Sequence, residues 1–183
     1  MRVNLFAHAL HFSMSSAQKH AWLRPVVRAV NKGLIRLAYR TYQQHGERGW
    51  EAFWIPAFTK YGQLRANYIA RVMKIDPSCP RSIGRYHDFE DPVFGVTGHW
   101  ERNEYLDPVR VETSCPACDQ LMALTKGQGC GSFCRNIILA MELNTGTSLN
   151  RDYYVEVESL LTEGDETCRF IHKIKCKFDQ QKA

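Results

Sequence analysis

The period of the apolar residues changes once along this chain, and that change limits the fold more than any single motif. From Arg24 to about His45, Val26, Val27, Val30, Leu34, Ile35, Ala38 and Tyr42 recur at helical spacing, with Pro25 in a first turn and Gly46 at the end. A second helical stretch runs from Trp50 to Lys74, with a break expected near Pro56. Residues Pro77 to Pro92 hold three further prolines and no apolar period, which predicts a loop.

Beyond that loop the period is two. Phe94, Val96 and Trp100 alternate with Thr97, His99 and Glu101, and Val109, Val111, Thr113 and Cys115 alternate with Arg110, Glu112 and Ser114. Half-buried antiparallel strands fit this pattern, with the valines and Cys115 turned inward. A short helix after Cys115, a turn through Gly127, Gly129 and Gly131, a helix from about Ser132 to Leu143, and strands near Asp152–Leu161 and Thr167–Phe178 complete the reading. The expected class is α+β, with a helical region over 1–80 and an α+β region over 81–183 forming one domain.

Charge divides the same way. Residues 1–80 hold 12 Lys/Arg against 3 Asp/Glu, and residues 81–183 hold 12 against 16, for a net charge of +5. The basic residues are spread over helix faces rather than gathered in a block, so nucleic acid and membrane are not expected partners. Residues Met1–Phe12 are mildly apolar, but two histidines interrupt them and no run long enough to cross a bilayer follows; a cleaved leader is the minor reading. Seven cysteines, an odd number, in a chain long enough to bury a core predict free thiols and a cytoplasmic setting.

Three thiols are the chemical candidates. In the last strand Cys168, Phe170, His172, Ile174, Cys176 and Phe178 share one face, and helical spacing groups Cys134 with Ile137, Ile138 and Met141. Cys115 precedes Pro116 at a strand-to-helix junction, where helix amides favour a thiolate, so it is the expected nucleophile; the plain alternative is a small buried hydrophobe. Cys115, Cys118, Cys130 and Cys134 also have spacings near those of zinc modules, which leaves a zinc-stabilised domain as an alternative. His172, among apolar neighbours, needs a partner and lies four residues from Cys168 on the same face. His99 reads as solvated, and His87 beside Asp88, Glu90 and Asp91 reads as part of a polar loop, with metal binding there the lesser alternative. Trp100 reads as pocket wall.

Cys115-Pro116 after a strand, Phe133-Cys134 in a helix, the hairpin Gly164-Asp165-Glu166-Thr167-Cys168-Arg169-Phe170, and Ala38-Tyr39-Arg40 before Gly46 resemble the L-2-amino-thiazoline-4-carboxylic acid hydrolase-like family over about residues 28–175. The resemblance implies an α+β domain akin to small-ligand-binding domains associated with vinyl reductases, and hydrolytic opening of a thiazoline ring or a related C–N or C–S bond. Cys115, Cys134 and Cys168 match the family's cysteines and Asp165 its hairpin acid, while Ile137 and Arg169 stand where the family has acids. The resulting expectation is a hydrolase of a small amino-acid-derived or heterocyclic molecule, with the resemblance alone implying specialised metabolism. Cys115, Cys134, Cys168 and His172 would be catalytic, Asp165 and Trp100 ligand-binding, and no metal or cofactor is named. The alternative is a non-catalytic binding module, and a homodimer is left open.

Overall fold

The computed structural model describes residues 2–175. Helices α1 (Arg2–Lys19), α2 (Arg24–His45), α3 (Glu47–Gly49) and α4 (Ile55–Val72) come first, followed by α5 (Pro80–Ile83) and α6 (Tyr86–Phe94). Strands β1 (Thr97–Arg102) and β2 (Pro108–Ser114) lead to α7 (Pro116–Leu124), α8 (Gly131–Phe133) and α9 (Leu139–Leu149), and β3 (Tyr153–Ser159) and β4 (Cys168–Ile174) close the described chain. The four strands form one antiparallel sheet in the order β1-β2-β4-β3. The α+β class is as expected. Cys176 and Phe178, assigned above to the last strand, lie outside the described residues.

Two joints are helical where a break or a loop is expected. The turn Trp50–Trp54 is a π-helix that runs directly into α4, placing Pro56 in the first turn of that helix. A first-turn proline has little hydrogen bonding to lose. The segment expected to be a loop instead forms α5, opened by Pro80, and α6, with Pro92 near its end. Arg28 holds the end of α6: its guanidinium donates to the Val93 carbonyl at 2.8 Å and to the Pro92 carbonyl at 2.9 Å.

On α2 the inward stripe is narrower than the sequence suggests. Ile35 and Ala38 are buried, while Val26 and Val30 face outward with Leu37. The N-terminal residues form α1, which buries Ala7, Met14 and Ala17. Among the described residues no helix is long and apolar enough to cross a membrane.

Helices α4 and α9 lie close along Gly62, where an added Cβ would sit 2.3 Å from the Met141 carbonyl oxygen. A side chain there forces the helices apart. This close approach brings Arg65 of α4 onto Thr145 of α9, with Nε 2.9 Å from Oγ1.

The register corrects one parity assignment. Trp100 pairs with Arg110, Arg110 with Phe170, Glu112 with Cys168, and Val155 with His172, so these side chains share one face. Val109 and Val111 point the other way, paired with Ile171 and Arg169. They are nonetheless buried, alongside Arg169 and Lys173, whose long stems can shield apolar neighbours on that face. Sequence alternation put the valines inside because the alternative required burying Arg110 and Glu112. The fold buries both, since each finds a charged partner on α6.

Candidate functional site

Cys115, Cys134 and Cys168 line one cavity, together with Cys118. They reach it from separate elements. Cys115 is the N-cap of α7, Cys118 is one turn inside that helix, Cys134 opens a π-helical turn (Cys134–Ile138) ahead of α9, and Cys168 is the first residue of β4. The backbone turn before α7 directs Cys115 to the cavity, not the strand parity expected for it, and its side chain makes no capping hydrogen bond.

Cys118 is the hub of this wall. Its thiol is within hydrogen-bonding reach of Cys115, Cys134 and Cys168, and those contacts, with burial, push its pKa far upward, so it keeps its proton. Cys134 responds in the opposite sense. The Cys118 S–H holds the Cys134 pKa below the usual thiol value, and the Thr162 hydroxyl, 3.5 Å from the sulfur, helps against the opposing effect of burial. The Cys168 sulfur accepts from the Leu161 N–H at 3.3 Å.

Both of those outer donors belong to one short segment. It is fixed by Asp165, whose carboxylate accepts from the Leu160 N–H at 2.7 Å, and by Gly164, which turns the chain at φ 96°. Asp165 thus organises the thiol wall from behind. It is not among the cavity's lining residues.

The facing wall is charged and buried. Glu90 receives hydrogen bonds from both Arg65 and Tyr61, and Arg110 pairs with Asp91 through Oδ2. His87 Nδ1 lies 3.3 Å from Glu112 Oε1 and 3.8 Å from Asp91 Oδ1. Burial works against a charge on His87, but the hydrogen bonds to Asp91 and Glu112 and the nearby Glu142 outweigh it and raise its pKa to about 10. Burial pushes Glu142 up to about 7, although His87 pulls in the other direction, and its Oε2 has no hydrogen-bond partner among the described residues. The ligating atoms of His87, Asp91 and Glu112 all lie within 4.8 Å of one another, the one such group among the described residues. Among the described residues no group of three or more cysteine sulfurs lies close enough together to share an ion, so the zinc spacing of Cys115, Cys118, Cys130 and Cys134 is not matched by a common point.

Apolar side chains including Leu34, Ile35, Trp54, Phe58 and Phe133 complete the lining. The space open to the centres of water-sized spheres is about 100 Å³, several times the need of one water, which suits a small molecule. Both π-helical turns contribute, through Trp54 on one side and Cys134 and Ile138 on the other.

The remaining expected site residues lie elsewhere. His172 is fully buried behind the charged wall, its Nδ1 bonded to the Tyr153 hydroxyl and its ring 5.4 Å from that of His87. Burial lowers its pKa well below the usual histidine value, so it is a neutral core residue, and among the described residues no hydrogen bond joins its ring to a thiol. Trp100 packs against His172 and under the Arg81 guanidinium, 3.9 Å from its ring centroid, and donates to Asp88 at 3.0 Å. It lines a separate shallow groove. Ile137 is core, and Arg169 lies on the sheet's other face in ion pairs with Glu101 and Glu158. His99 is exposed, as expected.

Sequence reasoning missed Glu112 and Glu142, weighed Cys118 only as a zinc ligand, and set His87 aside as a loop residue. The spacing of His87 and Asp91, four apart, marks one helix face once α6 is recognised. Glu142 is the lone charged residue between Asn136 and Asn150, a signal of its own in a buried helix. Comparison of the chain with protein-family models, with curated proteins and with solved structures found no match.

Proposed function

We propose that the protein is a hydrolase of a small, amidine-like molecule of the aminothiazoline type, with Cys134 as its nucleophile. The observation that carries this reading is a cavity with a hydrogen-bonded thiol, held toward thiolate, on one wall and buried carboxylates on the other. An amidine carbon is electrophilic and its protonated form is a cation. Thiolate and carboxylate walls suit those two properties.

In the reaction so read, the Cys134 sulfur adds to the amidine carbon, and the ring C–S or C–N bond breaks as its departing atom takes a proton. Glu142, with a pKa near neutrality, is suited to give that proton. Water then adds to the thioimidate carbon, the C–S bond to Cys134 breaks, and the thiolate is restored, with one water consumed overall. The nucleophile moves from Cys115 to Cys134 because the donors that stabilise a thiolate, Cys118 and Thr162, both serve Cys134.

The test is turnover of 2-amino-thiazoline-4-carboxylate by the purified chain. Cys134→Ser is expected to lower kcat by roughly a thousandfold, and Cys115→Ser by less than about tenfold. Full turnover in Cys134→Ser rejects the assignment. The apolar part of the lining favours a second reading, a module that holds a small ligand without reaction, which predicts saturable binding of the same compound with no product.

A further inference from the structure

The charged wall holds more carboxylate than the cations around it match. Arg65 and Arg110 face Glu90, Asp91, Glu112 and Glu142, and each of these six is at least nine-tenths buried. With His87 counted as a cation beside Asp91 and Glu112, three positive groups face four carboxylates, so the wall holds one acid more than its bases match in a site removed from water. A second observation is independent of that count. Glu142 lines the cavity and is only 3 % exposed, and its Oε2 has no hydrogen-bond partner among the described residues.

The donor atoms are also arranged to receive a cation. Helix α6 presents His87 and Asp91 one turn apart, and β2 presents Glu112 across from them. The separations of 3.3 Å and 3.8 Å from His87 Nδ1 are close to those between neighbouring ligand atoms around an ion bound at about 2.0 to 2.2 Å. Asp91 offers Oδ1, because Arg110 engages Oδ2 and fixes the carboxylate's orientation. One imidazole with two carboxylates favours a divalent first-row ion such as Zn²⁺, Mn²⁺ or Fe²⁺ over the softer ions that thiolates select.

We propose that His87, Asp91 and Glu112 bind one divalent first-row cation on the charged wall of the cavity that Glu142 also lines. The site is separate from the thiols and does not depend on their reactivity. It also gives the ring of His87 a role other than that of a buried imidazolium between two acids.

Co²⁺ is the probe, because its spectrum separates the two walls. The full chain, stripped with a chelator, is titrated with Co²⁺ and then challenged with Zn²⁺. The expected result is one equivalent bound, with weak visible d–d bands, no near-ultraviolet sulfur-to-cobalt charge transfer, and displacement by Zn²⁺. Glu112→Gln and Asp91→Asn are each expected to weaken binding by at least about tenfold, while Cys118→Ser/Cys134→Ser leaves it unchanged. Circular dichroism checks that each variant is folded; if the carboxamide variants are not, the wild-type stoichiometry and spectrum decide. A charge-transfer band that the cysteine variants abolish, absence of stoichiometric binding, or unchanged affinity in folded Glu112→Gln overturns the proposal. Neither result bears on whether Cys134 turns over substrate, so the two readings fail separately.

Discussion

The two walls of the cavity control charge by opposite means. On the thiol wall a single S–H, a hydroxyl and a backbone amide serve sulfurs that can also pack as small hydrophobes, so loss of one contact leaves little stranded. On the facing wall guanidinium and carboxylate groups are paired out of water, and loss of one member leaves its partner charged and buried. The first arrangement tolerates substitution and is suited to reactivity. The second ties its chemistry to the stability of the fold.

The largest expected effect follows from that contrast. Arg65 is fully buried between Glu90 and Thr145, with its guanidinium 4.4 Å from the Tyr86 ring centroid. Arg65→Met strands the Glu90 carboxylate, and urea denaturation is expected to show a loss of about 3 to 5 kcal/mol. Adding Glu90→Gln removes the stranded charge and should recover part of the loss. A single variant as stable as wild type would erase the distinction between the walls.

A smaller effect is expected on the thiol side. Cys118→Ala removes the donor that lowers the Cys134 pKa, at a cost of about 1 kcal/mol or somewhat more from the lost packing and hydrogen bond. In wild type, a pKa held below the ordinary thiol value means that Cys134 adds stability above the unfolded thiol's pKa, and that this contribution is lost as pH falls through the folded value. The rate of Cys134 alkylation should therefore rise at a lower pH than for an ordinary thiol. In Cys118→Ala the profile should move upward. An unmoved profile, measured by mass spectrometry of the Cys134 peptide, would show that Cys118 does not set this thiol's acidity.

The same contrast decides what could be read from sequence. The α+β class was legible because a change in apolar period from helical to alternating survives most local exceptions, and Cys134 and Cys168 were legible because their apolar companions mark a face. The charged wall was not. Alternation sorts residues by polarity, and it sends Arg110 and Glu112 outward unless their partners are known; those partners, Asp91 and His87, sat in a segment whose prolines disguised α6 as a loop. His172 misled for a related reason, since a histidine among apolar residues must find a partner but need not be a base, and its partner is Tyr153 behind the cavity.

The smallest effect belongs to the face of the sheet that neither wall uses. Arg169, which departs from the resembled family's acid, pairs with Glu101 at 2.7 Å and with Glu158 in partly exposed surroundings. Such pairs are screened by solvent, so Arg169→Ala is expected to cost less than about 1 kcal/mol by urea denaturation. It should also leave the pH profile of Cys134 alkylation in place, because the register turns Arg169 away from Cys168 and toward Val111. A shift of that profile in Arg169→Ala would mean that charge on the outer face reaches the thiols through the sheet, and the two-walled description of the cavity would then need a third contributor.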